Sequence, residues 1–137
     1  MVIDRNTEEF VDIETEGDII SVRKSSRKLA ETLGFGITDI TRIVTACSEL
    51  ARNVYLYAGT GRVHIHRFDS ENRVGVEIVF ADNGPGISDV RQAMENGYTT
   101  SGGLGMGLPG AKRLMDEIDI QSESGKGTTI KIRKWLR

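Results

Sequence analysis

Apolar residues in this chain recur at helical spacing from Ile19 to Val54 and alternate every second residue from Val63 to Phe80, and this change of period limits the folds open to it. Ile19, Val22, Leu29 and Leu33 form the stripe of a first helix, which Asp18 can cap and Gly34 can end. Ile40, Ile43, Val44, Cys47, Leu50, Ala51 and Val54 form the stripe of a second, with Thr38 as its cap and a stop near Ala58 and Gly59. Val63 and Ile65 then alternate with His64, His66 and Phe68 in a strand over 61–68. A turn follows at 69–72, and Val74, Val76, Ile78 and Phe80 share one face of a strand over 73–81. Helices and strands are thus grouped rather than strictly alternating, which predicts an α+β sandwich with helices on one sheet face.

The flanking segments fit this plan. Residues 10–14 mix apolar and acidic side chains, as an edge strand does. Residues 88–94 have a short helical pattern, 96–105 are polar and glycine-rich, and a third helix is predicted over 106–116. Pro109 is tolerated in its first turn, where the missing amide would have no intrahelical partner. Ile118, Ile120 and Ser122 alternate, 124–127 turn, and Ile130 and Ile132 alternate within 128–135, giving a closing hairpin.

Length and charge restrict the function classes. A chain of 137 residues with 38% hydrophobic content fits one domain spanning 1–137. The 18 basic and 20 acidic residues are interspersed, so nothing in the charge favours nucleic acid or an anionic membrane as partner. No apolar run approaches the roughly 18 residues of a spanning helix, and the first residues lack an export signal. Cys47 is the only cysteine, which excludes an internal disulfide and suits a reducing, cytoplasmic setting.

Three separated clusters carry candidate chemistry. Glu49 and Asn53 are four apart on the second helix, so their side chains sit one above the other and away from its apolar stripe. Either they belong to a solvated face, or Asn53 offers a neutral oxygen to Mg²⁺ while Glu49 accepts a proton. Arg52, between them, is a surface cation or a phosphate contact. In Asp82-Asn83-Gly84-Pro85-Gly86 a carboxylate follows a buried strand. The segment is an ordinary turn by composition, yet Asp82 can accept from an exocyclic amine, and Gly84 and Gly86 leave room for a planar base.

The third cluster is Gly102-Gly103-Leu104-Gly105-Met106-Gly107-Leu108, leading into a helix. Exposed amides and the positive end of a helix dipole favour phosphate there. Gly105 to Gly110 also spells a dinucleotide fingerprint, but no strand precedes it, and no P-loop sequence occurs anywhere. Residues 98–101 read as a lid or as an ordinary polar loop.

Other candidates read as structural. His64 and His66 lack a third ligand and are expected at exposed strand positions. Cys47 lies in an apolar stripe as a core thiol, and Trp135 is expected to be a packing anchor.

The ordered set Glu49-x-x-x-Asn53, Asp82-x-Gly84-x-Gly86, Gly103-x-Gly105-x-Gly107 and Gly125-x-Gly127-Thr128 resembles the Bergerat-fold ATP-binding superfamily of gyrases, Hsp90 chaperones, histidine kinases and MutL-type proteins. Within it the chain is most similar to the serine/threonine kinases of the anti-sigma-factor type, in particular stressosome switch kinases. Ser48-Glu49-Leu50-Ala51-Arg52-Asn53, Tyr57-Ala58-Gly59, Thr100 to Gly105, Lys112 to Glu117 and Lys134-Trp135-Leu136-Arg137 carry that likeness.

The resemblance implies a two-layer sandwich, with a mixed, mostly antiparallel sheet covered on one face by helices and ATP held between helix and lid. It implies Asn53 as Mg²⁺ ligand, Asp82 on the adenine amine, Gly84 and Gly86 along the base, and Thr128 supporting the adenine end. Gly103, Leu104, Gly105, Met106, Gly107 and Leu108 would wrap the phosphates, and Glu49 would be the general base. It further implies a STAS-domain protein of a stressosome-type complex as substrate and a downstream phosphatase as the protein that released kinase activates. A chain with neither a phosphoacceptor helix pair nor a transducer domain is expected to find its substrate in another protein.

Overall fold

The computed structural model describes residues 8–86 and 108–137. The expected helix over 88–94, the loop over 96–105, the lid at 98–101, and Gly103, Leu104, Gly105, Met106 and Gly107 lie outside the described residues. The elements run β1 (Glu8–Ile13), α1 (Asp18–Leu33), α2 (Ile37–Asn53), a π turn (Val54–Ala58), β2 (Gly61–Ser70), β3 (Arg73–Asp82), α3 (Leu108–Leu114), β4 (Glu117–Glu123) and β5 (Gly127–Trp135).

Both helix starts differ from expectation. Asp18 is the first residue of α1 rather than its cap; Gly17 takes the cap position and no side chain bonds there. The Asp18 carboxylate instead turns back, accepting from the amides of Glu14 and Thr15 at 2.9 Å each. The Glu14 bond and then the Thr15 bond hold its carboxyl below the usual range. Thr38 likewise lies inside the first turn of α2 behind an extended Gly36, again without a side-chain cap. Asp39 in that first turn meets the positive end of the helix dipole. At the third helix, Leu114 is the last helical residue because the Asp116 amide leaves to pair with the Arg133 carbonyl at 2.9 Å.

The strands form one sheet in the order β1-β2-β3-β5-β4. All four pairings are antiparallel. Glu71 and Asn72, with φ of 48° and 66°, make the two-residue turn between β2 and β3, a geometry that follows the twist of the flanking strands. Register places like beside like. Ile65, Ile78, Ile132 and Ile118 stand in one cross-strand row, and Val63, Phe80, Ile130 and Ile120 in the next. Alternation turns both rows toward the helices, where they pack with Val22, Leu29, Ile43, Cys47 and Leu50. This is the two-layer α+β sandwich expected. Cys47 is a core thiol there, its pKa pushed up to about 12 by burial and only partly offset by Ser26.

One buried cation joins the elements of that layer. Lys134 is 4% exposed. Its Nζ donates to the Leu114 carbonyl at the end of α3 at 2.9 Å, and lies 3.6 Å from Asp116 and 3.8 Å from Asp39 in the first turn of α2.

The opposite sheet face carries a polar and aromatic network. Phe10, His64 and His66 stack in series, with centroid separations of 4.1 and 4.4 Å. Neither histidine is fully exposed, because the stack covers both. Trp135 is buried, as an anchor should be, beneath the Arg73 guanidinium and beside Phe68. Glu77, 6% exposed, accepts from His66 Nε2 at 2.8 Å and from Arg133 Nε at 2.6 Å.

Burial alone would raise the Glu77 carboxyl, but Arg133 and then His66 outweigh it and hold it below its ordinary 4.5. A carboxyl lowered by folding contributes stability that is present above its unfolded value and is lost as pH falls through the folded one. Glu77→Gln is therefore expected to cost about 1–3 kcal/mol at neutral pH and to flatten the acid limb of stability below about pH 4.5. Urea unfolding of both proteins across that limb checks it; an unchanged acid slope would remove Glu77 from the account.

Candidate nucleotide site

The two apolar rows of the sheet are followed by a polar one. Asp82 on β3 pairs with Thr128 on β5, which pairs with Ser122 on β4. Asp82 keeps the parity of Ile78 and Phe80, and Thr128 that of Ile130 and Ile132, so both side chains point to the helix side at the sheet's end. Asp82 Oδ1 accepts from the Gly84 amide at 2.9 Å, which fixes the carboxylate; Oδ2 has no hydrogen-bond partner among the described residues. Thr128 is buried, with Oγ1 2.9 Å from Ser122 Oγ, and Ser122 donates to the Gly127 carbonyl at 3.0 Å. With that proton on Gly127, Thr128 donates to Ser122 and keeps its own lone pairs for a ligand.

Two close approaches bring the remaining motifs to this row. A Cβ on Gly84 would lie 2.6 Å from the Ala58 side chain, so the Asp82 turn and the π turn after Asn53 pack backbone to backbone. Gly127 has φ of 93°, and a Cβ there would strike the Asp82 carbonyl oxygen, so the β4–β5 turn closes on the same segment. The Gly125 amide adds a bond of 2.6 Å to the Pro85 carbonyl. Only glycine permits both the left-handed backbone and that contact. Stretches near 53, 82 and 127 therefore share one corner of the molecule, and a cleft of about 1260 Å³ crosses the sheet's end there, lined by Asp82, Ser122, Thr128 and Lys126 among others.

Glu49 and Asn53 do not line that cleft. They stand on the last turns of α2, both half-buried, and neither side chain has a hydrogen-bond partner among the described residues. The helix continues past Asn53 as the π turn, closed by the Gly59 amide on the Val54 carbonyl at 3.0 Å, with Gly59 at φ of 83°. Wide turns of this kind occur often at functional sites. Leu108 opens α3 with its side chain 7% exposed and in the core, so its backbone alone is available to a ligand. Gly86, at φ of 76°, lies against the Glu123 carbonyl oxygen rather than open space.

Of the predicted site residues, Asp82, Gly84, Gly86 and Thr128 are thus gathered at one corner, Glu49 and Asn53 adjoin it through the π turn, and Leu108 starts the neighbouring helix. Ser122 was not singled out from the sequence. Its alternation with Ile118 and Ile120 was the signal, since that parity places it on the inner face beside Thr128. Ala58 carried no comparable signal, because its contact with Gly84 joins residues remote in sequence. Among the described residues no cluster of His, Cys, Asp and Glu could hold a metal ion by itself, and no helix is long and apolar enough to cross a membrane.

The chain is similar to known proteins in sequence and in fold. The chain is 52% identical to the serine/threonine-protein kinase RsbT of Bacillus subtilis over 132 residues, covering 96% of this chain and 99% of that protein. It is 34% identical over 106 residues to the anti-sigma F factor of Caldanaerobacter subterraneus subsp. tengcongensis, covering 73% of each. In fold it is similar to the crystal structure of the RsbU and RsbW domains of a Mycobacterium tuberculosis protein, with a TM-score of 0.64, 19% identity, and coverage of 95% of this chain and 33% of that one. The mycobacterial sensor histidine kinase MprB is similar at a TM-score of 0.57 and 19% identity, with 95% of this chain and 98% of that one covered. Residues 38–137 match the model of the histidine kinase-, DNA gyrase B- and HSP90-like ATPases. The chain, with its polar row closing the sheet and its glycines packed around it, belongs to that ATPase family.

Proposed function

We propose that residues 1–137 form one protein serine/threonine kinase domain that phosphorylates a STAS-domain protein of a stressosome-type complex. It would act as the switch of a bacterial stress-response sigma-factor cascade, and release of the kinase would activate a downstream phosphatase. The observation that carries this reading is the polar row of Asp82, Thr128 and Ser122 at a glycine-packed corner beside Glu49 and Asn53, which have no hydrogen-bond partner among the described residues. The 52% identity to RsbT, across nearly the whole of both chains, supports the choice of activity within the family. A single buried cysteine fits the reducing cytoplasm as its location.

The donor set fits the nucleotide. Asp82 Oδ2, which has no partner among the described residues, accepts an adenine amine, Gly84 and Gly86 border the base, and Thr128 backs it. By the resemblance, the backbone from Gly103 through Leu104, Gly105, Met106 and Gly107 to Leu108 would take the phosphates. Asn53 would hold Mg²⁺ through its neutral oxygen, and the bound ion would neutralise charge developing on the transferred group. Glu49 takes the proton of the substrate hydroxyl as that oxygen bonds to the terminal phosphorus and the bond to ADP breaks. Because this transfer is loose, catalysis is mainly positioning and charge neutralisation.

Incubation with labelled ATP, Mg²⁺ and the STAS-domain protein of the same organism should yield phosphoserine or phosphothreonine. Absence of label on a partner that binds would overturn the kinase reading. The likeness to anti-sigma F factors favours a second reading, in which nucleotide state controls capture of a partner and transfer is incidental. Equal partner affinity with ATP and ADP would dispose of it.

A further inference from the structure

The π turn leaves two large apolar side chains in water: Leu56 is 52% exposed and Tyr57 43%. This exposure is imposed by packing. Val54 is buried, and a Cβ on Gly61 would come within 2.5 Å of its Cγ1. Ala58 is pressed equally closely against Gly84. Val54 and Ala58 thus pin one side of the turn to the sheet, and Leu56, midway between them, is held on the opposite side. Arg52 lies four residues before Leu56 and three after Glu49, so the three side chains are successive neighbours along the helix surface. Arg52 is exposed, with no ion-pair or hydrogen-bond partner among the described residues.

Single exposed apolar side chains are ordinary on a protein surface; what distinguishes Leu56 is that packing holds it one helical turn from Arg52 and two from Glu49. The occupant of this surface follows from the reaction. Glu49 can take a proton only from a hydroxyl within hydrogen-bond reach, so the segment bearing that hydroxyl must lie over this end of α2. We infer that Arg52 and Leu56 form the recognition edge for the protein substrate, Arg52 receiving an acidic side chain and Leu56 an apolar one beside the acceptor serine or threonine.

Spacing adds detail. At about 1.5 Å rise per residue in α2, Arg52 lies roughly 4–5 Å along the axis from Glu49, and Leu56, part-way into the wider π turn, roughly 9–10 Å. An extended segment advances about 3.3–3.6 Å per residue, which places the acidic residue one or two positions from the acceptor and the apolar one about three.

The inference rests on the kinase reading, and its test separates the two. Arg52→Glu and Leu56→Ser would be compared with the unaltered chain in transfer to the STAS-domain protein, in ATP affinity, in thermal melting, and in direct titration of ATP-loaded chain with that protein. Each variant is expected to raise KM for the protein about tenfold or more, with kcat, ATP affinity and melting nearly unchanged. Arg52→Glu should be rescued by a Lys in place of the acidic residue near the acceptor. An unmoved KM, or a fall in ATP affinity, would overturn the inference; the latter would make Arg52 a phosphate contact. If the unaltered chain transfers nothing, the kinase reading fails, and the titration still decides: weakened binding by both variants supports the edge, and equal binding refutes it.

Discussion

Glu49→Ala is expected to slow phosphoryl transfer about 10²–10⁴-fold, the range that general base help supplies, while ATP affinity and melting temperature barely move. The carboxylate is half-buried and has no hydrogen-bond partner among the described residues, so its removal leaves no buried group unpaired. Its neighbour Leu50 is fully buried and anchors the helix, so the site's frame survives the change. In barrier terms the loss is about 3–5 kcal/mol, large enough to read in a single-turnover assay with labelled ATP. Transfer at the normal rate by Glu49→Ala would assign the proton to another group. A matching loss of nucleotide affinity would instead make Glu49 part of ATP binding.

Asp82→Asn should act on the other half of the reaction. Its amide oxygen can still accept from Gly84, as Oδ1 does now at 2.9 Å, so the turn is kept. Its nitrogen then occupies the position of Oδ2 and presents a donor to the adenine amine, which is also a donor. Loss of one hydrogen bond to a charged acceptor is worth about 1.5–3 kcal/mol, or roughly 10- to 150-fold in affinity. Calorimetric titration with ATP and Mg²⁺ reads this directly. Unchanged affinity would mean that Asp82 is a turn residue and no more, the alternative its composition always allowed. The two variants are complementary, since Glu49→Ala should bind normally and transfer slowly, whereas Asp82→Asn should bind weakly.

Much of the fold was legible because each element carries its own period. Val74, Val76, Ile78 and Phe80 announce a strand face, and Ile43, Cys47 and Leu50 a helix face, whatever else the chain does. The caps were less legible. Asp18 and Thr38 have the right chemistry at the right places, yet Gly17 and Gly36 take the cap positions, because the path of the preceding residues, rather than propensity, decides which residue enters the helix. The histidines show the same limit from the sheet side. Their parity is visible, but the half-burial of His64 comes from stacking with Phe10 on a different strand, and His66 stacks in turn on His64.

For the site, the residue types and their order stood in the linear chain: a carboxylate after a buried strand, paired glycines, and Glu49 one turn from Asn53. Which of these meet was decided by tertiary structure. Asp82 and Thr128 are 46 positions apart, and they share a face because the β3–β5 register places Phe80 opposite Ile130. A slip of one residue would send one of them to the far side of the sheet. The π turn likewise has no local signature, and its form depends on Val54 and Ala58 being held against glycines at 61 and 84. Local pattern determines what each segment can be, because it depends on neighbours a few residues away; the convergence of the segments depends on register and close packing between distant ones, which no short window contains.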